Sequence, residues 1–169
     1  MATHDRPTAT SGANALAHDD RAKPTGAYVA IAGIVVFLIA TFLDWVSTTG
    51  EEPTSASGYE ADTVIAFTAF IGVGLAVALL YALQRARRRQ HRGLSLTTMA
   101  VGIAAVLLAL AYVFDPPGAF ERGADLETEF GAWVGLVGGI LWSVGAGLLA
   151  KEIEGDDHVD HRGDTGRTR

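Results

Sequence analysis

The sequence predicts an all-α fold: a four-helix transmembrane bundle of two antiparallel helical hairpins, with disordered cytoplasmic tails. Three observations lead there. Four apolar runs, at residues 27–43, 63–83, 94–114 and 132–150, contain no acidic or basic residue. A helix rises about 1.5 Å per residue, so roughly 20 residues cross the ~30 Å of hydrocarbon in a bilayer. None of the runs alternates with period two, which excludes a closed barrel, the other architecture that satisfies every backbone polar group in lipid. The connections between the runs are short, so consecutive helices are expected to be antiparallel neighbours.

The membrane domain is expected to span residues 27–150. The leading segment, residues 1–26, is rich in Ala, Thr, Asp and Arg and lacks apolar periodicity. Residues 151–169 are similar after a short helical extension. Neither segment has enough apolar surface to offset its ordering entropy, so both are expected to be disordered. Pro24 and Gly26 mark the approach to the first run, and Asp115-Pro116-Pro117-Gly118 ends the third, because proline supplies no backbone donor and restricts its predecessor. The first run is longer than the apolar stretch of a signal peptide and no Ala-x-Ala follows it, so an uncleaved span is expected.

Loop charge orients the bundle. The chain's net charge is −6, yet its 13 basic residues are unevenly placed. The 84–93 loop carries Arg85, Arg87, Arg88, Arg89 and Arg92, and with the two tails it holds twelve of them. Four spans put these three segments on one side, and the positive-inside rule makes that side cytoplasmic. Only Arg122 falls opposite. The expected location is therefore a bacterial plasma membrane, multi-pass, with both termini cytoplasmic. The outer segments are acidic: Asp44, Glu51, Glu52, Glu60 and Asp62 in the first, and Asp115, Glu121, Asp125, Glu127 and Glu129 in the second.

Small residues point to helix packing. Gly131, Gly135 and Gly139 recur every four residues on one face of the last run, the spacing that lets helix backbones approach closely in lipid. Packing within the bundle is the expectation, and association of two copies through this helix is the sharper alternative. Trp45, Tyr59, Phe130 and Trp133 fall near the outer ends of the runs, and Tyr28 and Tyr81 near the inner ends, as an aromatic belt requires. Trp142 lies mid-run, where its indole N–H needs a partner, either a Ser or carbonyl on a neighbouring helix or a ligand. The two halves share a plan, which generic four-span architecture explains as well as duplication does.

The chemistry is sparse. There is no cysteine, hence no disulfide, thiolate site or cysteine nucleophile. No phosphate loop, zinc helix, serine elbow or dinucleotide fingerprint occurs, so no catalytic residue, cofactor or metal is assigned. Ion-coupled transport normally uses an ionisable residue inside the membrane, and none is present. His158 and His161 lie among three aspartates, metal-ligand types in a tail with nothing to preorganise them. The five arginines of the inner loop set topology and can also attract anionic lipid headgroups, at ~1 kcal/mol each. So short a loop at a membrane offers little surface to nucleic acid. Asp44, Trp45, Glu60 and Asp62 form a candidate outer-interface cluster. An enzymatic reading would require one of its carboxyls to have a raised pKa and act as a general acid.

The exit Phe42-Leu43-Asp44-Trp45-Val46-Ser47, the entry Ser57-Gly58-Tyr59-Glu60-Ala61-Asp62, the arginine loop, and Pro117-Gly118 running on to residues 131–139 resemble small four-span membrane proteins of high-GC Gram-positive bacteria. The resemblance covers residues 27–150 and implies no activity. The functional expectation is a non-enzymatic envelope protein acting through lipid or protein partners. The alternative is a transporter, or transporter subunit, for a small or apolar compound.

Overall fold

The computed structural model describes residues 24–49, 53–85, 92–116 and 126–154. Helix α1 covers Thr25–Ala40 and is followed by strands β1 (Asp44–Thr48) and β2 (Ser55–Ser57). A single-turn helix α2 (Gly58–Ala61) leads into α3 (Thr63–Arg85), then α4 (Arg92–Phe114), strand β3 (Leu126–Thr128) and α5 (Phe130–Glu154). Three helical stretches are long and apolar enough to cross a membrane: Thr63–Gln84, Arg92–Phe114 and Phe130–Lys151. Residues 1–23 and 155–169 of the tails, with the His158/His161 pair, and Arg87, Arg88 and Arg89 lie outside the described residues.

The first helix differs from expectation. It has 16 residues, about 24 Å of rise, and stops at Ala40 rather than continuing to residue 43. The amides of Phe42 and Leu43 donate to Ile39 and Ala40, three residues back. These bonds tighten the last turn in 3₁₀ fashion, and the chain then enters β1. Asp44-Trp45-Val46-Ser47-Thr48 is aromatic and β-branched, the composition that fits a pleated, half-buried surface.

The segments read as outer loops build a three-stranded antiparallel sheet in the order β2-β1-β3. Val46 pairs with Ala56 on one side and with Thr128 on the other, so β1 joins the two outer segments. The register against β2 shifts between Asp44 and Val46. Trp45 is therefore the bulged residue, and a bulge re-aims the side chain it carries.

Helix α5 packs against both α1 and α4. A Cβ at Gly26 would lie 2.7 Å from the Leu149 nitrogen and 2.9 Å from the Gly145 carbonyl oxygen. One at Gly138 would lie 2.6 Å from the Phe37 nitrogen. Gly33 faces the Trp142 backbone, and Gly145 faces that of Ala30. Gly26 and Gly33, like Gly138 and Gly145, are seven residues apart, the repeat that keeps one seam between two helices in register. On the α4 side, Gly102 meets the Ser143 nitrogen at 2.9 Å and Gly139 meets the Val106 nitrogen at 3.0 Å, measured from the same Cβ position.

Alanine supplies ten of the eighteen buried hydrophobic residues, whereas Phe67, Phe70, Leu107 and Val137 are more than half exposed. Small residues inside and large ones outside suit a solvent as apolar as the side chains themselves.

Gly33→Val is expected to destabilise the fold by at least about 2 kcal/mol, since its side chain would enter the Trp142 backbone. Gly74→Ala, at a position with nothing within 4 Å, is expected to be neutral or stabilising by up to ~1 kcal/mol. Denaturant unfolding in mixed micelles compares the two.

Candidate functional site at the sheet end

Polar chemistry concentrates where the sheet meets the helix ends, and Trp45 is its anchor. The side chain is fully buried. Its Nε1 donates at 2.7 Å to the Ala40 carbonyl, which also accepts the Leu43 amide in the turn that closes α1. Gly58, Gly131 and Gly135 surround the indole: a Cβ on any of them would come within 2.7 Å of a ring atom. Thus Trp45 is a core residue, where an interfacial belt position was expected. The early end of α1 leaves the space of a further turn, and the bulge turns the indole into it.

From Trp45 a ladder of edge-to-face rings crosses the interior. Tyr112 and Phe37 lie 5.3 Å and 6.1 Å from Trp45, and Trp142 lies 6.2 Å from Phe37, centroid to centroid. Edge-to-face contacts of this kind add about 0.5–1.5 kcal/mol each beyond burial. Trp142 is fully buried among α1, α3 and α4, facing Gly33, Gly72 and Gly102. Its Nε1 has no hydrogen-bond partner among the described residues, so the partner expected from a neighbouring Ser or carbonyl is not there. Such an orphan costs about 1–3 kcal/mol, of which the edge-to-face contact with Phe37 returns a part.

The carboxylates of the candidate cluster have separate partners. Asp44 Oδ2 accepts from the Ser55 hydroxyl at 2.8 Å. Glu60 Oε2 accepts from the Ser57 amide at 3.1 Å and from its hydroxyl at 2.9 Å. The amide bond foremost, then the hydroxyl, holds the Glu60 carboxyl below its ordinary range. Asp62 bridges two helices: Oδ1 accepts from the Val64 amide at 2.8 Å, capping α3, and Oδ2 accepts from the Tyr112 hydroxyl at 3.2 Å. A general acid needs a raised pKa, and Glu60 is shifted the other way.

Sequence reasoning did not single out the residues that tie the second outer segment in place. Ser47 donates to Glu129 Oε1 at 2.6 Å, and the Glu129 amide donates to the Trp45 carbonyl at 2.9 Å. The Thr128 hydroxyl donates to the Tyr112 carbonyl at 2.8 Å. The available signal was Tyr112 itself, a hydroxyl close to the end of an apolar run, which must find an acceptor when buried.

Of the proposed packing glycines, Gly131 and Gly135 meet the Trp45 indole and Gly139 meets Val106 on α4. Among the arginines, Arg92 opens α4 at the opposite end from the sheet, and Arg85 closes α3 there. No histidine lies among the described residues, nor does any group of three or more metal-ligating side chains. The fold thus defines a mostly helical protein with three helices long and apolar enough to cross a membrane. No family model, curated protein or solved structure matches the chain.

Trp45→Phe keeps one aromatic ring and removes the pyrrole ring together with its bond to Ala40, with an expected loss of about 1–3 kcal/mol. Trp45→Ala empties the glycine cradle as well, with an expected loss of about 3–5 kcal/mol. Chemical denaturation of both variants orders the two losses. For Glu60, a depressed folded-state pKa means its contribution is complete above the ordinary value of 4.5 and is lost as pH falls through the folded value. Carboxyl NMR titration should place its midpoint below 4.5, and Ser57→Ala should move it upward.

Proposed function

We propose that this chain is a four-span helical bundle of the bacterial plasma membrane with both tails and the arginine loop in the cytoplasm. Its role is non-enzymatic: it holds an ordered polar cap at the outer face and acts through the lipids and membrane proteins that meet it there. The observation that carries this reading is the closed seam between α1 and α5. Gly26, Gly33, Gly138 and Gly145 bring the two backbones so close that no added Cβ fits. A transporter needs a path between helices, and this pair leaves none. The alternative, transport of a small or apolar compound, would have to use other helix pairs.

Two further features support the reading. Beyond the end of α1, the Thr41–Leu43 turn brings Asp44 beside Gly131 at the start of α5, so the chain leaving the shorter helix reaches the level at which α5 begins. The acidic residues of the described outer segments gather at the sheet end, while Arg92 and Lys151 lie at the other, in the sense of the positive-inside rule. The arginine loop is proposed to contact anionic lipid on the inner side.

The chain contains no cysteine, so single substitutions report topology cleanly. Thr54→Cys should react with an impermeant maleimide on intact cells, and Thr8→Cys only after permeabilisation. The reverse pattern, or equal labelling of both, would refute the orientation. Cross-linking in native membranes that recovers neither lipid nor a protein partner at the outer face would count against the proposed role.

A further inference from the structure

A groove of about 300 Å³ opens on the outward side of α3, lined by Tyr59, Thr63, Ala66, Phe67 and Phe70. Thr63, Ala66, Phe67 and Phe70 follow one another at helical spacing, so the groove runs along a single stripe of α3 for about 10 Å. Ala66 is only 4% exposed and forms the floor, while Tyr59, Phe67 and Phe70 are 54–62% exposed and form the walls. The groove exists because a methyl group sits where its neighbours carry rings. At its mouth Tyr59 stacks on Phe42, with the rings 6.4 Å apart and 13° from parallel.

The groove is apolar along α3 and polar at the sheet end. Glu60 and Asp62 lie between Tyr59 and Thr63 in the chain, and the strand register sets Asp44 opposite Ser57. Among the described residues no Lys or Arg lies at this end. An anionic headgroup placed there meets like charge, whereas an ammonium meets carboxylates and the exposed face of a stacked aromatic pair. The two Ser57 bonds to Glu60 favour its ionised form, which keeps that charge in place at neutral pH. One leaflet of hydrocarbon is about 15 Å deep, so a stripe of about 10 Å accommodates the upper part of one acyl chain.

We infer that this groove holds an acyl chain of an outer-leaflet phospholipid whose headgroup ends in an ammonium, with the ammonium beside the exposed carboxylate of Glu60. The inference rests on the membrane reading above and adds the lipid class. An exposed carboxylate–ammonium pair contributes enough to give about a two- to fivefold preference over an anionic lipid with the same chains.

The test uses the full chain reconstituted into bilayers of equimolar phosphatidylethanolamine and phosphatidylglycerol with matched chains. Native mass spectrometry of the released protein then counts the lipids that stay bound. The expected result is phosphatidylethanolamine in excess by about two- to fivefold. Glu60→Gln should reduce that excess while leaving total bound lipid unchanged. Ala66→Leu fills the floor from inside and Thr63→Trp fills the mouth from an exposed position, and each should abolish the excess. Circular dichroism of each variant checks that it folds, and Thr63→Trp stands if Ala66→Leu does not. Equal retention of the two lipids, or an excess untouched by Thr63→Trp, overturns the inference and leaves the membrane reading intact. Failure of the wild-type chain to insert into the bilayers overturns both.

Discussion

The approach of α1 to α5 at backbone distance is the constraint on which the other contacts depend. In lipid no hydrophobic effect draws two helices together, because tails are as apolar as leucine. Attraction must come from dispersion, which weakens steeply once a gap opens. The pair meets it with glycines seven residues apart on both partners: Gly26 beside Gly145, and Gly33 beside Gly138. A strict seven-residue repeat keeps the seam facing its partner along the helix. The other face of α5 is then free for α4, where Gly102 and Gly139 repeat the device.

Backbones packed this closely leave little room for large side chains, and the interior admits few. Each buried tryptophan is housed by glycines contributed from other elements: Trp45 by Gly58, Gly131 and Gly135, and Trp142 by Gly72 and Gly102. Phe37 touches both rings edge-on, so the glycine seam and the aromatic ladder are one packing solution. At the sheet end the ladder joins the hydrogen bonds. Tyr112 contacts Trp45 by its ring, Asp62 by its hydroxyl and Thr128 by its carbonyl. Through that residue and β1, the ends of α1, α3, α4 and α5 are held in one network. Asp44, Glu60, Asp62 and Glu129 therefore each have a structural partner that fixes where their charge sits.

Much of the helical plan was legible in the sequence, because a bilayer imposes a length and a purity of composition that few other environments require. The extent of the first helix was not. Phe42 and Leu43 are as apolar as a span, and nothing local says that the chain tightens after Ala40. The sheet was hidden for a different reason. Leu126–Thr128 pairs with a strand some eighty residues earlier, and no pattern within either segment names its partner. Trp45 shows the consequence: beside an acidic residue at a span's end it reads as an interfacial anchor, and only the bulge turns it inward. The glycines were half legible. The four-residue spacing of Gly131, Gly135 and Gly139 drew attention to the right helix, yet the contacts with α1 follow the seven-residue spacing of Gly138 and Gly145. The candidate cluster gave the location of the polar cap without its partners, since Ser55, Ser57, Tyr112 and Glu129 acquire their roles from tertiary contacts.

Helix α3 stands apart in how it is held. Its Gly72 faces the Trp142 ring and the Ile34 side chain, not a neighbouring backbone, and Gly74 faces open space. Side chains adjust more readily than backbones, so this helix has the most freedom to shift against the rest. It also carries the groove and begins at the Asp62 cap. A lipid chain seated along Ala66, bridging the walls formed by Phe67, Phe70 and Tyr59, adds contacts on the side of α3 that the protein leaves uncovered. A ligand that binds one arrangement better than another stabilises that arrangement. A lipid bound as proposed would act in the same direction as the Tyr112–Asp62 bond, each favouring α3 in the position where its upper end meets the sheet. On the proposed reading the boundary between fold and partner falls within the membrane: the seam of α1, α5 and α4 is closed by the chain itself, and the outer side of α3 is left for the bilayer to cover.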